Sequence, residues 1–440
     1  MRKVALVSLG CAKNLVDSEV MLGVLKKAGF TFVGRPREAD IIIVNTCGFI
    51  QPARAEAERA LGNVLRLKRR DPRKMVVAAG CYVERDEAGL KARFPGVDAW
   101  TGVRDFDRIA RIIEGPPAPR GDRAFLYSDE SPRLVSTGGS WAYIKVSEGC
   151  SHRCGFCAIP LIKGPYVSRS MASIVREARA LAALGIKEIN LVSHDTTFYG
   201  RDRGWRDRLV RLLERLVRVE GIAWIRILYG NPEEVTDPLL DVMNEEKVCR
   251  YLDIPFQHAA AALLKAMKRS MDGSRALDLL AKIRARVQGV AVRTSLVVGF
   301  PGEGRREFGA LKRFVEEARF DHLGVFTYSP EQGTAAFTLP ETVSTAEKEA
   351  RRAEIMAIQA GISRARNASY VGQVLDVLID RRARPGGRTL IGRTRFQAPE
   401  VDGRVVVSVP RTGPSGPVNS IVRAEITSAG PYDLRARLVS

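Results

Sequence analysis

Short apolar runs alternate with longer amphipathic stretches through the first 114 residues of the chain. Three of the runs are rich in β-branched residues and have the length of buried parallel strands. They are KVALVSLG (3–10), ADIIIVNT (39–46) and KMVVAAG (74–80). Stretches with a helical pattern lie between them, such as VDSEVMLGVLKKAG (16–29) and ARAEAERALGNVLRLKRR (53–70). This alternation predicts an open parallel α/β sheet.

A second alternation starts at Trp141 and continues to about residue 345. It contains at least six apolar runs of strand length, most of them followed by a helical segment. These runs are WAYIKV, EINLVS, WIRILY, RYLDIP, VRTSLVVGF and HLGVFTY. Repeated βα units in this number predict a closed or partly closed parallel barrel, with its functional groups at the C-terminal ends of the strands. The Arg-rich stretch 201–218 has an apolar stripe and is interpreted as an outer helix of this barrel rather than an RNA clamp.

The pattern changes again after a polar helix near residues 346–369. Short strand-like runs are now separated by turn sequences: VLDVLID, RTLIGRT and GRVVVSVP, with RPGG, VDG and PSGP around them. This pattern predicts a small antiparallel barrel of the OB-like kind. Residues 116–140 are rich in Pro, Gly, Ser and charged side chains, which indicates a linker. We therefore expect domains at 1–115, 141–366 and 367–440.

The composition is that of a globular protein with a cationic surface. Of its 440 residues, 45% are hydrophobic and 27% are charged, and no apolar run approaches membrane-spanning length. Because the N-terminus also has no signal-peptide cleavage site, we expect a cytoplasmic protein with no membrane partner. The 70 Lys and Arg against 50 Asp and Glu give a net charge of +20, which favours a polyanionic partner such as ribosomal or transfer RNA. A solvated cationic surface that keeps the protein soluble explains the charge equally well.

Three cysteines lie close together in SEGCSHRCGFCAIP, residues 147–160. Cys150, Cys154 and Cys157 have the spacing C-x3-C-x2-C, and no fourth cysteine is nearby. A zinc site would need His152 as its fourth ligand, which would be strained so close to Cys150 on one short loop. Thiolates are the usual ligands of iron-sulfur clusters, and a 4Fe-4S cluster held by three cysteines keeps one iron open for a substrate. We therefore favour a 4Fe-4S cluster over zinc.

Three further cysteines are far apart in the sequence but occupy equivalent places. Cys11, Cys47 and Cys81 each directly follow one of the three predicted strands of the first domain. The C-terminal ends of parallel strands meet at one edge of an open sheet, where such folds bind ligands. Three separate core thiols are the alternative, but three equivalent placements favour a second 4Fe-4S cluster held by three thiolates. Cys249 has no such companions and is interpreted as a core thiol.

The C-x3-C-x2-C loop resembles the radical S-adenosylmethionine superfamily. Phe156 precedes the last cysteine, and the loop lies at the end of the first predicted barrel strand. The resemblance implies that the open iron binds the amino and carboxylate groups of S-adenosylmethionine. It also implies that the cluster passes one electron to the sulfonium, which generates a 5'-deoxyadenosyl radical. In such an enzyme the cofactor carries the difficult chemistry, and the protein positions it and excludes water.

Two cysteine triads followed by a small β-barrel resemble the methylthiotransferase family over nearly the whole chain. Within that family the motifs are most similar to the type that modifies an aspartate of protein twelve of the small ribosomal subunit. These motifs are SLGCAKNLVDSE, VNTCGFI, GCSHRCGFCAIP, HDTTFYG and YLDIPFQHA. The related tRNA-adenosine enzymes usually have a GCQMN-like first motif and an Arg before the Gly that follows the cluster, where this chain has GCAKN and IKG. His194 departs from the family pattern, which has Gln before the Asp.

Other residues are candidates for contact with S-adenosylmethionine. Asp195 and Glu303 follow predicted barrel strands and are expected to bind the methionine amino group or the ribose, although the helix dipole explains such carboxylates equally well. Gly299 and Gly302 would let the backbone approach the adenosine, although turn geometry explains them equally well. Together with Phe156, these are the predicted cofactor-binding residues. We assign no catalytic side chain beyond the six cluster cysteines.

The family resemblance implies a bifunctional radical enzyme that replaces a C–H bond at an aspartate β-carbon with C–S–CH3. S-adenosylmethionine would be used twice, as methyl donor to a sulfur associated with the Cys11/Cys47/Cys81 cluster and as radical source at the other cluster. The expected partners are a small-subunit ribosomal protein, alone or within the ribosomal particle, an electron donor and RNA. The C-terminal barrel resembles a TRAM domain, an RNA-binding module that in this type can instead hold the protein substrate. Because both triads precede residue 160, we expect removal of this barrel to spare S-adenosylmethionine cleavage.

Two alternative functions stay open. The first is methylthiolation of adenosine in tRNA, which uses the same chemistry and which the cationic charge favours slightly. The second is a non-catalytic RNA-binding or ribosome-assembly protein with structural metal sites. Iron and acid-labile sulfide would separate that protein from an enzyme, because structural sites would hold zinc without sulfide.

Overall fold

The structure, a computed structural model, describes residues 1–115, 121–205, 207–410 and 416–439. Parts of three predictions lie outside the described residues: positions 116–120 of the linker, 206 of the Arg-rich stretch, and 411–415 and 440 of the C-terminal barrel. The chain divides into two compact units. The first comprises Met1–Ser136, Lys145–Ile174 and Ser329–Phe337, and the second comprises Thr137–Ile144, Val175–Tyr328 and Thr338–Ser440. None of the described helices is long and apolar enough to span a membrane.

The N-terminal part of the first unit is a parallel sheet with helices on both faces. Its strands are β1 (Lys3–Ser8), β2 (Thr31–Phe32), β3 (Ile41–Thr46), β4 (Met75–Gly80) and β5 (Ala99–Thr101). Its helices are α1 (Ala12–Lys27), α2 (Gln51–Arg70), α3 (Cys81–Arg93) and α4 (Ile109–Glu114). The strands lie in the order β2-β1-β3-β4-β5 and all pair in parallel, which confirms the predicted open α/β sheet. The short edge strands β2 and β5 were not predicted, because each contributes at most three residues to the apolar pattern.

Both faces of this sheet are buried, which explains the continuous apolar runs. Along β3, Ile41 and Ile43 pack in one apolar cluster with α1 and α4. Ile42 and Val44 point to the other face and pack with α2 and α3. Because β1, β3 and β4 are parallel neighbours, their C-terminal ends meet at one edge of the sheet, and the following loops start there.

The second alternation forms a six-stranded sheet. Its strands are β6 (Trp141–Lys145), β9 (Glu188–Val192), β10 (Trp224–Ile227), β11 (Val248–Asp253), β12 (Ala291–Val298) and β13 (His322–Thr327); β7 (Ser147–Glu148) and β8 (Val167–Ser168) form a separate antiparallel ribbon. Strands β9 to β13 pair in parallel, in the order β13-β12-β11-β10-β9-β6. Its helices are α6 (Met171–Ala183), α7 (Arg208–Leu216), α8 (Asp237–Val242), α9 (Ala261–Ala266), α10 (Gly273–Arg286) and α11 (Arg305–Ala318), and α5 (Ile159–Lys163) precedes them. The predicted partly closed parallel barrel is confirmed, and α7 buries the leucines of the Arg-rich stretch as expected for an outer helix.

The C-terminal part of the second unit is a closed five-stranded barrel, which follows helix α12 (Thr345–Ala368). Its strands are β14 (Val374–Arg382), β15 (Thr389–Arg393), β16 (Val405–Ser408), β17 (Ile421–Ala429) and β18 (Leu434–Leu438). They close in the order β14-β15-β16-β18-β17, and among the described residues only β16 and β18 pair in parallel. A closed ring with an odd number of strands cannot alternate in direction throughout. The predicted small barrel is therefore confirmed, with one parallel pair that closure requires.

Buried polar groups join this barrel to the N-terminal ends of the parallel strands. Glu188, the first residue of β9, forms ion pairs with Arg226 of β10 (Nε to Oε1, 2.8 Å) and Arg393 of β15 (Nη1 to Oε2, 2.7 Å). The Tyr251 hydroxyl of β11 donates to Asp402 of the loop after β15 at 2.7 Å. We call these five residues the docking network. The barrel therefore lies at the opposite end of the strands from the loops that follow them, a separation of about 26 Å along the eight residues of β12.

Candidate cluster-binding site

Cys11, Cys47 and Cys81 lie at the carboxyl ends of neighbouring parallel strands, as the sequence predicts. Cys11 is the N-cap of α1, Cys47 follows β3, and Cys81 is the first residue of α3. The loops that carry them are packed tightly against one another. A Cβ added at Gly10 would lie 2.8 Å from Cβ of Cys47, and one added at Gly48 would lie 2.7 Å from Cα of Tyr82, next to Cys81. The structure therefore brings the three predicted ligands of the first triad to one edge of the sheet.

The thiols of this triad influence one another electrostatically. Burial raises the pKa of Cys47 to about 11, and the nearby Cys11 thiol adds to the increase. Burial also raises the pKa of Cys81; Lys163 opposes this increase, while Cys47 and Cys11 add to it. Among the described residues, no group of three His, Cys, Asp or Glu side chains already has the geometry of a metal site. Three neighbouring thiols, of which Cys47 and Cys81 resist ionisation without a cation, are nevertheless a donor set that fits an iron-sulfur cluster, because cluster binding supplies the positive charge.

Polar side chains fix the start of α1 beside the end of β3. The Asn45 side-chain amide donates to the Asn14 carbonyl oxygen at 2.9 Å and to the Ser18 hydroxyl at 2.8 Å. The Asn14 amide in turn donates to the Leu9 carbonyl oxygen at 2.5 Å. Asn14, Asn45 and Ser18 are all buried. These hydrogen bonds fix the helix start that carries Cys11, and thereby support the triad.

The second triad lies on the loop between β7 and α5. Cys150 is buried, whereas Cys154 and Cys157 are half-buried. The Cys150 N–H donates to the Gly164 carbonyl oxygen at 3.1 Å, and the Cys157 N–H donates to the Cys154 carbonyl oxygen at 3.2 Å. Phe156 is half-buried within the same loop. The three thiols and Phe156 therefore share one compact turn, whose donor set again fits an iron-sulfur cluster.

Both triads belong to the first compact unit. Residues Lys145–Ile174, which include the second triad, belong to the same compact unit as the N-terminal sheet, whereas most of the predicted 141–366 domain belongs to the second unit. Ala158 directly precedes α5 and Ile162 belongs to it. Both lie in the same apolar cluster as the partly buried Cys81. The loop of the second triad is therefore attached to the domain that carries the first. The domain boundaries at 115, 140 and 366 stay a prediction.

A ring of buried charges lies close to both triads. It consists of Asp17 of α1, Lys145 of β6, Glu148 of β7 and Lys163 of α5, and we call it the charge ring. The Lys145 ammonium contacts one oxygen of Asp17 and the Glu148 Oε2 at 2.6 Å. The Lys163 ammonium contacts the Asp17 Oδ2 at 3.1 Å and the Glu148 Oε1 at 3.4 Å. The sequence signal for this ring is modest: Lys145 interrupts the apolar strand WAYIKV, and the two carboxylates lie within six residues of cysteines.

Apart from Phe156, the predicted S-adenosylmethionine contacts lie in the second unit, after the C-terminal ends of β9 and β12. The Asp195 Oδ1 accepts a hydrogen bond from the Thr197 hydroxyl at 2.5 Å. The Glu303 carboxylate accepts the Gly299 N–H and forms an ion pair with Arg351 of α12 at 3.2 Å. Burial raises the pKa of Glu303, and the Gly299 N–H and Arg351 oppose the increase. Both carboxylates thus organise their own loops, and their contact with the cofactor stays a prediction.

The two predicted glycines and the remaining cysteine have simple surroundings. Gly299 and Gly302 have φ angles of +73° and +88°, so each occupies a turn conformation that favours glycine. Their approach to the adenosine stays a prediction. Cys249 lies in β11 and is 1% exposed, which agrees with a core thiol.

Three family models match separate parts of the chain. An uncharacterised protein family called UPF0004 matches residues 3–102, and the Radical SAM superfamily matches residues 144–315. The TRAM domain matches residues 371–439. The first match covers the first triad, the second covers the second triad with the predicted cofactor contacts, and the third covers the closed barrel.

Relatives match over almost the whole chain. The ribosomal protein uS12 methylthiotransferase RimO of Aquifex aeolicus is 45% identical over 436 residues, which cover 99% of this chain and 97% of that protein. The protein of the same name from Pelobacter propionicus is 42% identical over 440 residues, covering 98% of this chain and 97% of the relative. These similarities extend across both triads and the C-terminal barrel.

A solved structure shares the fold at lower similarity. The radical S-adenosylmethionine methyltransferase TsrM from Kitasatospora setae, with tryptophan and an analogue of S-adenosylmethionine bound, has a TM-score of 0.52 and 17% identity. The match covers 74% of this chain and 73% of TsrM. At this identity the likeness concerns the fold alone.

Proposed function

Because the chain belongs to the RimO family of ribosomal protein uS12 methylthiotransferases, we propose that it adds a methylthio group to the β-carbon of an aspartate in uS12. The observation that carries this proposal is the 41–45% identity to relatives of that name over nearly the full chain, including both cysteine triads. The enzyme is a radical S-adenosylmethionine transferase. It works with S-adenosylmethionine and 4Fe-4S clusters.

The two triads are the proposed cluster ligands. Cys150, Cys154 and Cys157 would hold one cluster and leave one iron open, and Cys11, Cys47 and Cys81 would hold the other. When bound, the cluster of the second triad would supply the electron that cleaves S-adenosylmethionine into methionine and a 5'-deoxyadenosyl radical. The cluster of the first triad would be associated with the sulfur that the substrate carbon receives. The geometry of the first unit supports this assignment, because α5 connects the second triad to the apolar cluster around Cys81.

Buried charges help the first unit to exclude water near the first triad. Glu331 is 1% exposed and forms ion pairs with Arg54 and with Arg85, the latter at 2.7 Å. The Arg85 guanidinium also donates to the Gly48 carbonyl oxygen, next to Cys47, at 2.8 Å. These contacts hold the Ser329–Phe337 segment against the Cys47 loop. A carbon radical reacts with whatever lies nearest, so we propose that this segment keeps water from the reaction.

Iron content tests the cluster assignment. Anaerobically reconstituted protein is expected to hold about eight irons per chain, and to lose about half when either triad is replaced by alanine. Iron and acid-labile sulfide analysis measures this, with Cys249→Ala as the control that keeps the full content. About four irons, unchanged on replacing Cys11, Cys47 and Cys81, would remove the first-triad cluster. Zinc without sulfide would instead support a structural metal protein.

The substrate is tested by direct competition. The reconstituted enzyme is expected to add a methylthio group to an aspartate of uS12 and not to adenosine of tRNA when both are supplied with S-adenosylmethionine and a reductant. Mass spectrometry of the protein and of the nucleosides measures both products in one reaction. A methylthio group on tRNA adenosine, with none on uS12, would overturn the substrate assignment and leave the radical chemistry intact.

Partners and location follow from this substrate. We propose that the enzyme acts in the cytoplasm on uS12, alone or within the ribosomal particle, and receives electrons from a reduced electron-transfer protein. The net charge of +20 and the TRAM-domain match support contact with RNA of the particle. Such contact would position the substrate protein without reading a base sequence.

A further inference from the structure

The charge ring is closed and isolated from water. Each lysine contacts both carboxylates, and each carboxylate uses one oxygen for each lysine. The four residues are between 0% and 4% exposed. The Lys163 ammonium lies 5.7 Å from the ring centre of Phe106, and the Lys145 ammonium lies 5.9 Å from that of Tyr127. With two cations and two anions, the ring has no net charge, and removing one member leaves one buried charge uncompensated.

The two lysines differ in their relation to the first triad. Lys163 is the last residue of α5, and α5 packs against α3, the helix that begins at Cys81. Ala158, which precedes α5, and Ile162 of α5 lie in the apolar cluster against which Cys81 packs. Lys145 is the last residue of β6 and lies beneath Tyr127. Lys163 is therefore the cation of the charge ring that lies on the helix packed beside Cys81.

We propose that Lys163 is a positioning residue for the first cluster, which sets the charge around its Cys81 ligand from the helix that follows the second triad. The inference rests on the proposed binding of a cluster by Cys11, Cys47 and Cys81. A fixed cation beside a thiolate ligand stabilises negative charge on the ligand set. It therefore favours the reduced form of the bound cluster, since reduction adds negative charge, and groups near the ligands tune cluster potentials in this way.

The test is a redox titration of the full chain with Cys150, Cys154 and Cys157 replaced by alanine, so that one cluster remains. In this background, Lys163→Met is expected to move the midpoint potential to a more negative value. The ratio of reduced to oxidised cluster at a fixed potential should fall by roughly tenfold. Lys163→Arg is expected to keep the original midpoint because it keeps the charge. Electron paramagnetic resonance of the reduced cluster gives the ratio at each potential.

Lys145→Met is the matched control. It removes the same charge from the ring and leaves the same two carboxylates, so it destabilises the fold in a similar way, as thermal unfolding will show. It is expected to move the midpoint much less than Lys163→Met. Equal shifts in the two variants, or no shift in either, would overturn the proposal, because a purely structural role gives no difference between them.

A second variant keeps the proposal testable if Lys163→Met does not fold. Lys163→Gln keeps an N–H donor for Asp17 and Glu148 without the charge, and the same negative shift is expected for it. If Lys163→Met does not fold, an unchanged midpoint in Lys163→Gln would overturn the proposal. Failure of the triple-alanine background to bind any cluster would contradict the proposed cluster assignment instead, so the two failures are distinguishable.

Discussion

A Cys154→Ala variant is expected to form no 5'-deoxyadenosine above background, whereas Cys47→Ala is expected to keep part of that activity and form no methylthio product. Cys154 belongs to the triad proposed to hold the cluster that cleaves S-adenosylmethionine. Cys47 belongs to the triad proposed to deliver sulfur, so its loss should uncouple cleavage from product formation. Quantifying 5'-deoxyadenosine and modified uS12 in the same reactions measures both effects.

Folding must be compared before this result is interpreted. Cys47 is packed against Gly10, and the loop of the second triad is attached to the domain of the first, so damage at one triad could reach the other. Cys47→Ala should therefore still bind about four irons. Cys249→Ala, a change in the core of β11, should leave both products unaffected. Equal loss of cleavage in Cys47→Ala and Cys154→Ala would show that the first triad is needed for assembly of the site rather than for sulfur delivery.

Removal of residues 370–440 is expected to abolish cleavage of S-adenosylmethionine together with methylthiolation. The sequence predicts that cleavage is spared, because both triads precede residue 160. The docking network changes this expectation. Without Arg393 and Asp402, the buried Glu188 carboxylate and Tyr251 hydroxyl would lose partners that the fold provides. Soluble yield, thermal unfolding and 5'-deoxyadenosine formation measure the outcome.

A point substitution separates the loss of the docking network from the removal of the whole barrel. Arg393→Met should lower the free energy of unfolding by about 3–5 kcal/mol, because it breaks a buried ion pair. Arg437→Met is the matched control: Arg437 is on the same barrel, is 65% exposed and pairs with Glu425, so its loss should cost less than about 1 kcal/mol. A truncated chain that is folded and cleaves S-adenosylmethionine at the full rate would show that the docking network is dispensable.

The parts of the fold that depend on local pattern could be predicted from the sequence. Ile41 to Val44 are buried on both faces of β3, and such a strand is visible as an unbroken apolar run. Cys11, Cys47 and Cys81 could be grouped because parallel strands end at one edge, which turns distant positions into neighbours.

The parts that depend on long-range pairing could not be predicted. Asp17 and Lys145 are 128 residues apart, and no spacing rule connects a helix carboxylate with a strand ammonium. The same holds for Glu188 and Arg393. The strands β17 and β18 were not predicted because their apolar pattern is weak: exposed polar positions alternate with buried ones, and some of the buried positions are alanines, as at Ala424 and Ala436. The sequence also does not show that residues 145–174 pack with the N-terminal sheet, since apolar patterns indicate that a face is buried and not which surface covers it.

The position of the C-terminal barrel limits what can bind to both ends of the parallel strands at once. The barrel is attached where the strands begin, and Asp195 and Glu303 lie where they end, about 26 Å away along β12. An extended peptide of five residues spans at most about 18 Å, so a short fragment around the target aspartate can engage only one of the two ends. Short peptides are therefore poor substitutes for intact uS12 in an assay. They can report on the reaction itself but not on substrate binding by the C-terminal barrel.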